Sequence, residues 1–205
     1  MHPKRRGVRK ILSHVWGRLS WAIVSEVREP LVESVNTHPT VQASSAPLNI
    51  GTVRWDDPRG EALRAEMDAE MGALYAERFA SMPPESIGPM QKAFSIDPAE
   101  IVTSILVTDG DIAVGHAALR PHGDHLEVKR VFVTPAFRGR GVSKQLMREL
   151  EIIARSNGVR TLILQTADLQ LDAIRLYEGL GYVPIPSFRG YDVVPGSLCF
   201  GKELF

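Results

Sequence analysis

The run from Arg138 to Ser143 combines arginines and glycines where a strand pattern gives way to a helix pattern. Glycines permit a tight turn and leave backbone amides uncovered, and the free N–H groups and dipole of the following helix attract an anion. The two guanidinium groups add charge-assisted contacts. The run therefore predicts a pyrophosphate-binding turn, formed by Arg138, Gly139, Arg140, Gly141, Val142 and Ser143.

The spacing of the glycines argues against two other phosphate-binding loops. A P-loop needs Gly-x-x-x-x-Gly-Lys-Ser/Thr, whereas this run supplies only Gly-x-Gly. A dinucleotide-binding turn needs a third glycine three residues after the second, where Lys144 stands. The turn is therefore of another type.

The elements before this turn can be predicted from hydrophobic periodicity. A helix begins at Asp57-Pro58, carries an apolar stripe from Leu63 to Tyr75, and ends at Met82-Pro83-Pro84. The segment 85–98 contains two prolines and is expected to be an irregular loop, of the kind that often covers a binding site. Alternating apolar residues and turn residues predict strands at 49–55, 101–108, 112–119 and 126–133, of which the last three form a β-meander.

After the turn, helices and strands alternate. A helix runs to about Ser156 and is capped by Asn157-Gly158. A buried strand at 160–165 follows, and a second helix ends at Gly181. The last strands are expected at 182–186 and 197–204.

The first 47 residues differ from the rest in composition. Residues 1–30 carry seven Lys/Arg and two Asp/Glu, followed by a linker-like run at 36–47. Three interpretations of residues 1–30 stay open: a loosely docked appendage, an interfacial amphipathic helix, and a targeting segment. We expect an extension over residues 1–47 and one folded domain over residues 48–205.

Composition restricts the classes of function. The formal net charge is zero, which argues against nucleic acid as a partner. Cys199 is the only cysteine, so an internal disulfide is impossible, and it is expected to be a small apolar strand residue. His116, His122 and His125 lack ligand-like spacing, so we expect no metal site. A cytoplasmic location is compatible with these features.

Two blocks together resemble a known family. Arg138-x-x-Gly141-x-Ser143 resembles the Arg/Gln-x-x-Gly-x-Gly/Ala signature of the GNAT N-acetyltransferase superfamily, with serine where glycine or alanine is usual. The preceding letters LEVKRVFVTPAF look like the central strand of that family. AIRLYEGLGY, from Ala173 to Tyr182, is similar to its second motif. One helix and one strand are predicted between the two blocks, as in the family.

The resemblance implies a GNAT fold over residues 48–205, which is an α/β fold with a mixed, mostly antiparallel sheet flanked by helices. It implies that acetyl-CoA is the acyl donor and that the turn binds its pyrophosphate. Gln170 stands where many members have asparagine and is expected near the pantetheine arm. The backbone amides that stabilise the oxyanion are expected where the central strand separates from its neighbour, at Val131, Phe132 and Val133.

The implied chemistry is attack of an amine on a thioester, and it requires proton transfer. An alkylamine has a pKa near ~10.4, so the reaction needs a general base or a site that binds the neutral amine. Glu127 is the expected base, directly or through a water; alternatively it only pairs with Lys129 or Arg130. Tyr177 is expected to protonate the leaving thiolate, the alternative being a purely structural role in the core.

The acceptor is not fixed by the sequence. A small-molecule amine is favoured over a protein, attacking in a ternary complex, and Arg120, Arg189 and Tyr191 are candidate substrate contacts. A different class of function, a catalytically silent acyl-CoA-binding sensor or interaction module, stays open. So does attachment of the enzyme to a membrane through residues 1–30. The protein is expected to be a monomer or a homodimer.

Overall fold

A computed structural model describes residues 47–205 of the chain, and seven strands within them form one sheet. In chain order the strands are β1 (Asn49–Val53), β2 (Thr103–Asp109), β3 (Ile112–His122), β4 (His125–Val133), β5 (Thr161–Ala167), β6 (Val183–Pro184) and β7 (Ser197–Glu203). Their order in the sheet is β1-β2-β3-β4-β5-β7-β6. Only β4 and β5 pair in parallel. The expected mixed, mostly antiparallel sheet is confirmed.

Five α-helices accompany the sheet in the described residues: α1 (Pro58–Leu74), α2 (Ala76–Ser81), α3 (Pro84–Phe94), α4 (Val142–Ser156) and α5 (Leu171–Gly179). The predicted start of α1 is confirmed, because Asp57 is its N-cap and Pro58 occupies the first turn, where a missing N–H costs nothing. The helix breaks at Tyr75 rather than continuing to Met82.

The expectation of an irregular loop at 85–98 was wrong, because most of this segment is helix α3. Pro84 lies in the first turn, which tolerates proline, and only Pro89 lies inside the helix, at the loss of one backbone hydrogen bond. Met90, only 2% exposed, and Ala93 bury the inner side of α3 against Tyr191 and Val194. The free energy gained by burying this apolar face offsets the loss of the backbone hydrogen bond at Pro89.

Helices cover both faces of the sheet because apolar residues alternate along its strands. Ile105 and Leu119 belong to the large core cluster with Leu146 and Leu150 of α4. Leu106, adjacent to Ile105 in β2, lies in a separate cluster with Leu63 of α1 and Phe132 of β4. Successive strand residues point to opposite faces, so α4 and α1 lie on opposite sides of the sheet.

The strands β4 and β5 separate along their length. They pair only where Leu126–Val128 meet Leu162–Leu164, although β4 continues to Val133 and β5 to Ala167. On the other side of β4, the register with β3 shifts between His116 and Ala118, and Arg130 has a left-handed φ of 57°. The bulge bends β4 away from β5, so a gap opens between the two strands.

Several expectations concern other parts of the chain. The appendage, amphipathic-helix and targeting interpretations of residues 1–30, and most of the linker, lie outside the described residues. The domain start near residue 48 stays a prediction. Cys199 is buried in β7, as expected of a small apolar residue. In the described part of the chain, no helix has the length and apolar character needed to cross a membrane.

Candidate acyl-transfer site

The glycine-rich turn leads directly into α4 and leaves its first amides open. Gly139 and Gly141 have φ values of 74° and 80°, which glycine adopts without strain. A Cβ built at either position would meet no atom within 4 Å, so the space over the turn is free. No side chain caps α4, and the amides of its first turn have no hydrogen-bond partner in the described chain. The turn can therefore receive an anion such as a pyrophosphate.

The two arginines of the turn are held differently. The Arg138 guanidinium donates from Nε to the Val133 carbonyl at 3.0 Å and from Nη2 to Glu70 of α1 at 2.6 Å. Arg140 stacks over the Phe137 ring, with 4.7 Å from its Cζ to the ring centroid. A bound phosphate would therefore compete with Glu70 for Arg138, whereas Arg140 is held by the Phe137 ring.

A groove runs from this turn along the end of β4 toward α5. Most of the residues predicted to bind the donor line it: Val131, Phe132, Val133, Arg138, Gly139, Val142, Ser143 and Gln170. The side chain of Gln170 donates to the Tyr75 hydroxyl at 3.3 Å. Arg140 and Gly141 belong to the turn but do not line the groove.

A second cavity lies on the other side of the gap between β4 and β5. It is enclosed by α1, α2, α3 and the separated strands, and its wall is mostly apolar. Residues bordering both the groove and this cavity are Met67, Met71, Val131, Gln170, Ala173 and Tyr177. The two spaces therefore meet at the edge of β4 and at Tyr177.

The amides of β4 at this junction can be assigned a direction. The Thr134 amide donates to Val114 of β3 at 3.0 Å. Amide directions alternate along an antiparallel strand, so the Phe132 amide also faces β3, whereas those of Val131 and Val133 face the opposite edge. On that edge β5 has moved away, so Val131 and Val133 present donors to the junction.

Tyr177 is the predicted acid, and the structure places it at this junction. The residue is 7% exposed, and burial raises the pKa of its hydroxyl. Its ring packs edge-on against Tyr182, with centroids 6.0 Å apart. No hydrogen-bond partner of its hydroxyl lies among residues 47–205. The hydroxyl is therefore protonated at neutral pH and free to donate to a bound group.

Glu127, the predicted base, lies in a buried ionic cluster. Its carboxylate accepts from Arg120 Nε at 2.7 Å and from the Tyr191 hydroxyl at 2.6 Å, and it pairs with Lys129 Nζ at 3.3 Å. Burial by itself would raise the pKa of Glu127, but the Lys129 charge and the bonds from Arg120 and Tyr191 hold it below its ordinary value. The carboxylate is therefore ionised, but already well supplied with donors.

The positions of these residues restrict the role of Glu127. Its side chain is 0% exposed and lines neither the groove nor the cavity, whereas Lys129 lines the cavity. The alternative of pairing with Lys129 is present in the structure; Arg130 instead pairs with Asp68 of α1. Any proton transfer to Glu127 therefore has to pass through a neighbouring group.

The three candidate substrate contacts line neither space. Arg120 and Tyr191 are fully buried members of the Glu127 cluster, and Arg189 lies at its edge, 3.8 Å from Glu127 and paired with Glu100 at 2.8 Å. Strand alternation could have indicated part of this cluster, because Glu127 and Lys129 are two residues apart on one face. Arg120 lies directly opposite Glu127 across the β3–β4 pair.

His116 was not predicted to matter, yet it holds the bulge in β4. Its Nδ1 lies 3.0 Å from the Arg130 carbonyl, which only accepts, so Nδ1 carries the proton. Its Nε2 then accepts from Arg64 at 3.1 Å and from Ser104 at 2.9 Å. Burial, with the charges of Arg64 and Arg130, lowers the pKa of His116 to about 4. The neutral ring therefore fixes the backbone just before Val131.

The buried neutral His116 predicts acid sensitivity. Its folded-state pKa of about 4 lies below the ordinary value of 6.5, so the unfolded chain takes up the proton first. The stability that the neutral ring contributes is fully present above the ordinary pKa of histidine. It is lost as the pH falls toward the folded-state pKa of His116. When the pH is lowered from about 7.5 to about 5, the free energy of unfolding of the wild type should fall by about 2 kcal/mol more than that of His116→Gln. Urea unfolding at both pH values measures this difference.

The matched control for this prediction is His125→Gln, at the exposed first residue of β4. On acidification, the His125→Gln variant should lose as much unfolding free energy as the wild type does. Equal acid losses in His116→Gln and the wild type would show that His116 is not held neutral by its surroundings.

The described residues contain no group of three or more His, Cys, Asp or Glu side chains arranged to hold a metal ion. The groups at the junction that could act on a bound substrate are the helix amides, the β4 amides, Tyr177 and the ionic cluster beside the cavity.

The chain is similar to a known protein family and to curated proteins. The model of the acetyltransferase (GNAT) family matches residues 65–182. An "IAA acetyltransferase" of Azospirillum brasilense is 34% identical over 93 residues, which cover 45% of this chain and 61% of the relative. An "N-acetylaspartate synthetase" of Rattus norvegicus is 33% identical over 104 residues, which cover 49% of this chain and 34% of the relative. The match spans less than two thirds of either relative.

Solved structures share the fold. A Klebsiella pneumoniae protein, provisionally named an acyl-CoA N-acyltransferase, has a TM-score of 0.61 and 28% identity, covering 77% of this chain and 98% of its own. The PaiA N-acetyltransferase of Thermoplasma acidophilum, solved in complex with coenzyme A, has a TM-score of 0.54 and 14% identity, covering 77% and 99%. At 14% identity, the likeness to the Thermoplasma acidophilum structure concerns the fold alone.

Proposed function

Since the chain belongs to the GNAT acetyltransferase family, we propose that it transfers the acetyl group of acetyl-CoA to a primary amine of a small molecule. One observation carries the proposal: Val131 and Tyr177 border both the groove that begins at the anion-binding turn and the apolar cavity. A donor in the groove and an acceptor in the cavity would meet there. Both substrates are then bound at once, and the amine attacks directly.

The groove suits acetyl-CoA in its chemistry. The open amides of α4 would hold the pyrophosphate, with Arg138 and Arg140 nearby, and Gln170 would lie beside the pantetheine arm. Ser143 has a small side chain, so it leaves its amide usable. When bound, acetyl-CoA supplies the thioester.

The residues at the junction would act on the charges of the reaction. The Val131 and Val133 amides would donate to the oxyanion that develops at the acetyl carbon, and the Tyr177 hydroxyl would protonate the departing thiolate. The Phe132 amide, which was expected to take part, faces β3 and would act only by positioning its neighbours.

The acceptor amine has to lose a proton. Positive side chains at the cavity wall disfavour an ammonium ion and so favour the neutral amine, which is the form that attacks. We propose that Glu127 acts on the acceptor through Lys129, which it holds at the wall, rather than by direct contact.

The names of the two relatives favour an enzyme with a small-molecule acceptor. One is named an acetyltransferase, and the other a synthetase of an N-acetylated amino acid. Neither name supports the silent sensor or interaction module.

The proposal is tested by release of free CoA from acetyl-CoA with a panel of amines, together with the thermal shift on adding acetyl-CoA. We expect a shift with acetyl-CoA alone and CoA release that depends on the amine. A shift without release for any amine would favour the silent sensor, and the absence of both would contradict the proposal.

A side chain at Gly141 is expected to weaken donor binding. In Gly141→Val the new side chain would enter the open space over the turn, and the left-handed φ would be strained. We expect the Kd for acetyl-CoA to rise about tenfold or more, which corresponds to at least about 1.4 kcal/mol. Calorimetric titration with acetyl-CoA measures it.

Gly123→Val is the matched control, because Gly123 also has a left-handed φ, 56°, and open space around it, but lies in the β3–β4 turn. It should keep the wild-type Kd. If the Gly141 variant binds acetyl-CoA as the control does, the anion does not lie on this turn.

A further inference from the structure

The cavity that would hold the acceptor has a one-sided charge. Its wall contains three basic side chains, Arg78, Lys129 and Arg130. No aspartate or glutamate of the described chain lines it. Such a wall disfavours acceptors with several positive charges, because each charge would enter a partly buried, positive environment.

Two of the three basic groups already have partners of their own. Arg78 forms two hydrogen bonds to Asp168, at 2.7 and 3.0 Å, and Arg130 pairs with Asp68. Both pairs are neutral as units. The charge of Lys129, the third basic group, therefore has to be balanced by a negative group other than Asp68 and Asp168.

The cluster around Lys129 contains more positive than negative charge. Lys129 and Arg120 share a single carboxylate, that of Glu127. Arg189 also lies near this carboxylate, with its Nε 3.8 Å from Glu127, but its guanidinium pairs with Glu100 at 2.8 Å, so Arg189 and Glu100 together add no net charge. One positive charge remains in a region where the Lys129 side chain is only 9% exposed. A buried charge of this kind is costly unless an opposite charge reaches it.

The ammonium group of Lys129 also has a donor to spare. It carries three N–H donors. One is used by the Tyr191 hydroxyl, whose oxygen lies 2.8 Å from Nζ, and one by Glu127 at 3.3 Å. No third partner is present in the described residues. Because Lys129 lines the cavity, the remaining donor is available to a bound molecule.

The rest of the wall is mostly apolar, with Gln165, Thr166 and Gln170 as polar members. Its methionines and phenylalanines are Met67, Met71, Phe79, Met82, Met90 and Phe94. Methionines adapt to the shape of an apolar ligand, and burying such a side chain is strongly favourable.

On this basis we propose that the acceptor is an α-amino acid with a bulky apolar side chain, whose carboxylate pairs with Lys129. The inference rests on the proposed acetyl transfer and specifies its acceptor. The apolar side chain would lie against the methionines and aromatic rings. Lys129 lies two residues before Val131, so a carboxylate there would bring the adjacent α-amine to the junction with the donor groove.

The transfer itself balances without a further reactant. The α-nitrogen forms a bond to the acetyl carbon as the carbon–sulfur bond of the thioester breaks. The nitrogen gives up one proton to solvent, and the thiolate takes the proton of the Tyr177 hydroxyl, which water then restores. The products are an N-acetylamino acid and free CoA.

The test compares acceptors that differ only in the carboxylate. Phenylalanine and phenylalaninamide, and likewise leucine and leucinamide, are compared by kcat/KM for CoA release. The wild type should prefer the acid by about 10- to 100-fold, which is the usual effect of one charged hydrogen bond. In Lys129→Met this preference should fall to within about threefold, whereas Lys129→Arg should keep most of it.

The thermal shift with acetyl-CoA, which does not depend on Lys129, shows whether each variant is folded. A variant that fails to fold leaves the comparison of acid and amide in the wild type as the deciding measurement. Equal or better use of the amides by the wild type would overturn this inference and leave acetyl transfer intact. Unchanged preference in folded Lys129→Met would also overturn it. An absence of CoA release with every acid and amine would instead overturn the proposed function.

Discussion

Replacement of Tyr177 by phenylalanine is expected to lower kcat by about 100- to 10,000-fold, the range typical for loss of a general acid. Tyr177 borders both the groove and the cavity, and its hydroxyl has no partner in the described chain, so removing the hydroxyl leaves no buried group unpaired. The fold and the Kd for acetyl-CoA should therefore stay close to those of the wild type. Steady-state CoA release and calorimetric titration measure the two quantities.

Tyr182→Phe is the matched control for this variant. Tyr182 is a second buried tyrosine that packs against Tyr177, but it lines neither the groove nor the cavity. It should keep a kcat within about threefold of the wild type, because it donates no proton to the reaction. A Tyr177→Phe enzyme with the wild-type kcat would mean that another group protonates the thiolate and that Tyr177 is a core residue.

Replacement of Glu127 by glutamine is expected to lower the free energy of unfolding by about 3–5 kcal/mol. The change removes the one carboxylate shared by Arg120 and Lys129 and leaves two cations close together in the interior. Urea unfolding of the purified variant at neutral pH measures the effect. Acidification should act in the same direction, because protonation of Glu127, as the pH falls through its lowered pKa, removes the same charge.

A double variant shows whether the charges cause this loss. Arg120→Met in the Glu127→Gln background removes one of the two cations, so the double variant should be more stable than the sum of the single effects predicts. The charges would not be the cause if the two substitutions had additive effects on the free energy of unfolding. A Glu127→Gln variant within about 1 kcal/mol of the wild type would also contradict this role of the ionic cluster.

The same Glu127 variant separates its two possible roles. A carboxylate that takes the proton of the amine would affect kcat and leave the acceptor KM close to that of the wild type. A carboxylate that holds Lys129 at the wall would raise the KM for acceptors that carry a carboxylate. We expect the second result, because the Glu127 side chain lines neither substrate space.

The turn at Gly139 and Gly141 and the helix after it could be predicted because their signals are local. Glycine at a left-handed φ, an apolar stripe and a C-cap are all properties of short segments. The local prediction failed at α3, where prolines suggested a loop, and at the end of α1, which breaks at Tyr75 instead of continuing to Met82. The burial of Met90 against Tyr191, about 100 residues further along the chain, was not visible to a local pattern.

The chemistry of the site depended on register, which the sequence left open. Glu127 and Lys129 were recognised as possible partners, but Arg120 and Tyr191 were assigned to the substrate pocket. Their place in the cluster follows from the pairing of β3 with β4 and from the packing of the segment after Gly190. The bulge at Arg130, and the use of His116 to hold it, likewise result from contacts between strands.

The most direct test of acetyl transfer in this site uses acetyl-CoA with an isotopically labelled acetyl group and an amine that supports CoA release. Mass spectrometry of the small molecules then follows the label. Transfer predicts that the label appears on the amine nitrogen in a one-to-one ratio with the CoA released, and that Tyr177→Phe slows both equally. Label that stays on CoA, or that appears only as free acetate, would contradict the proposed function.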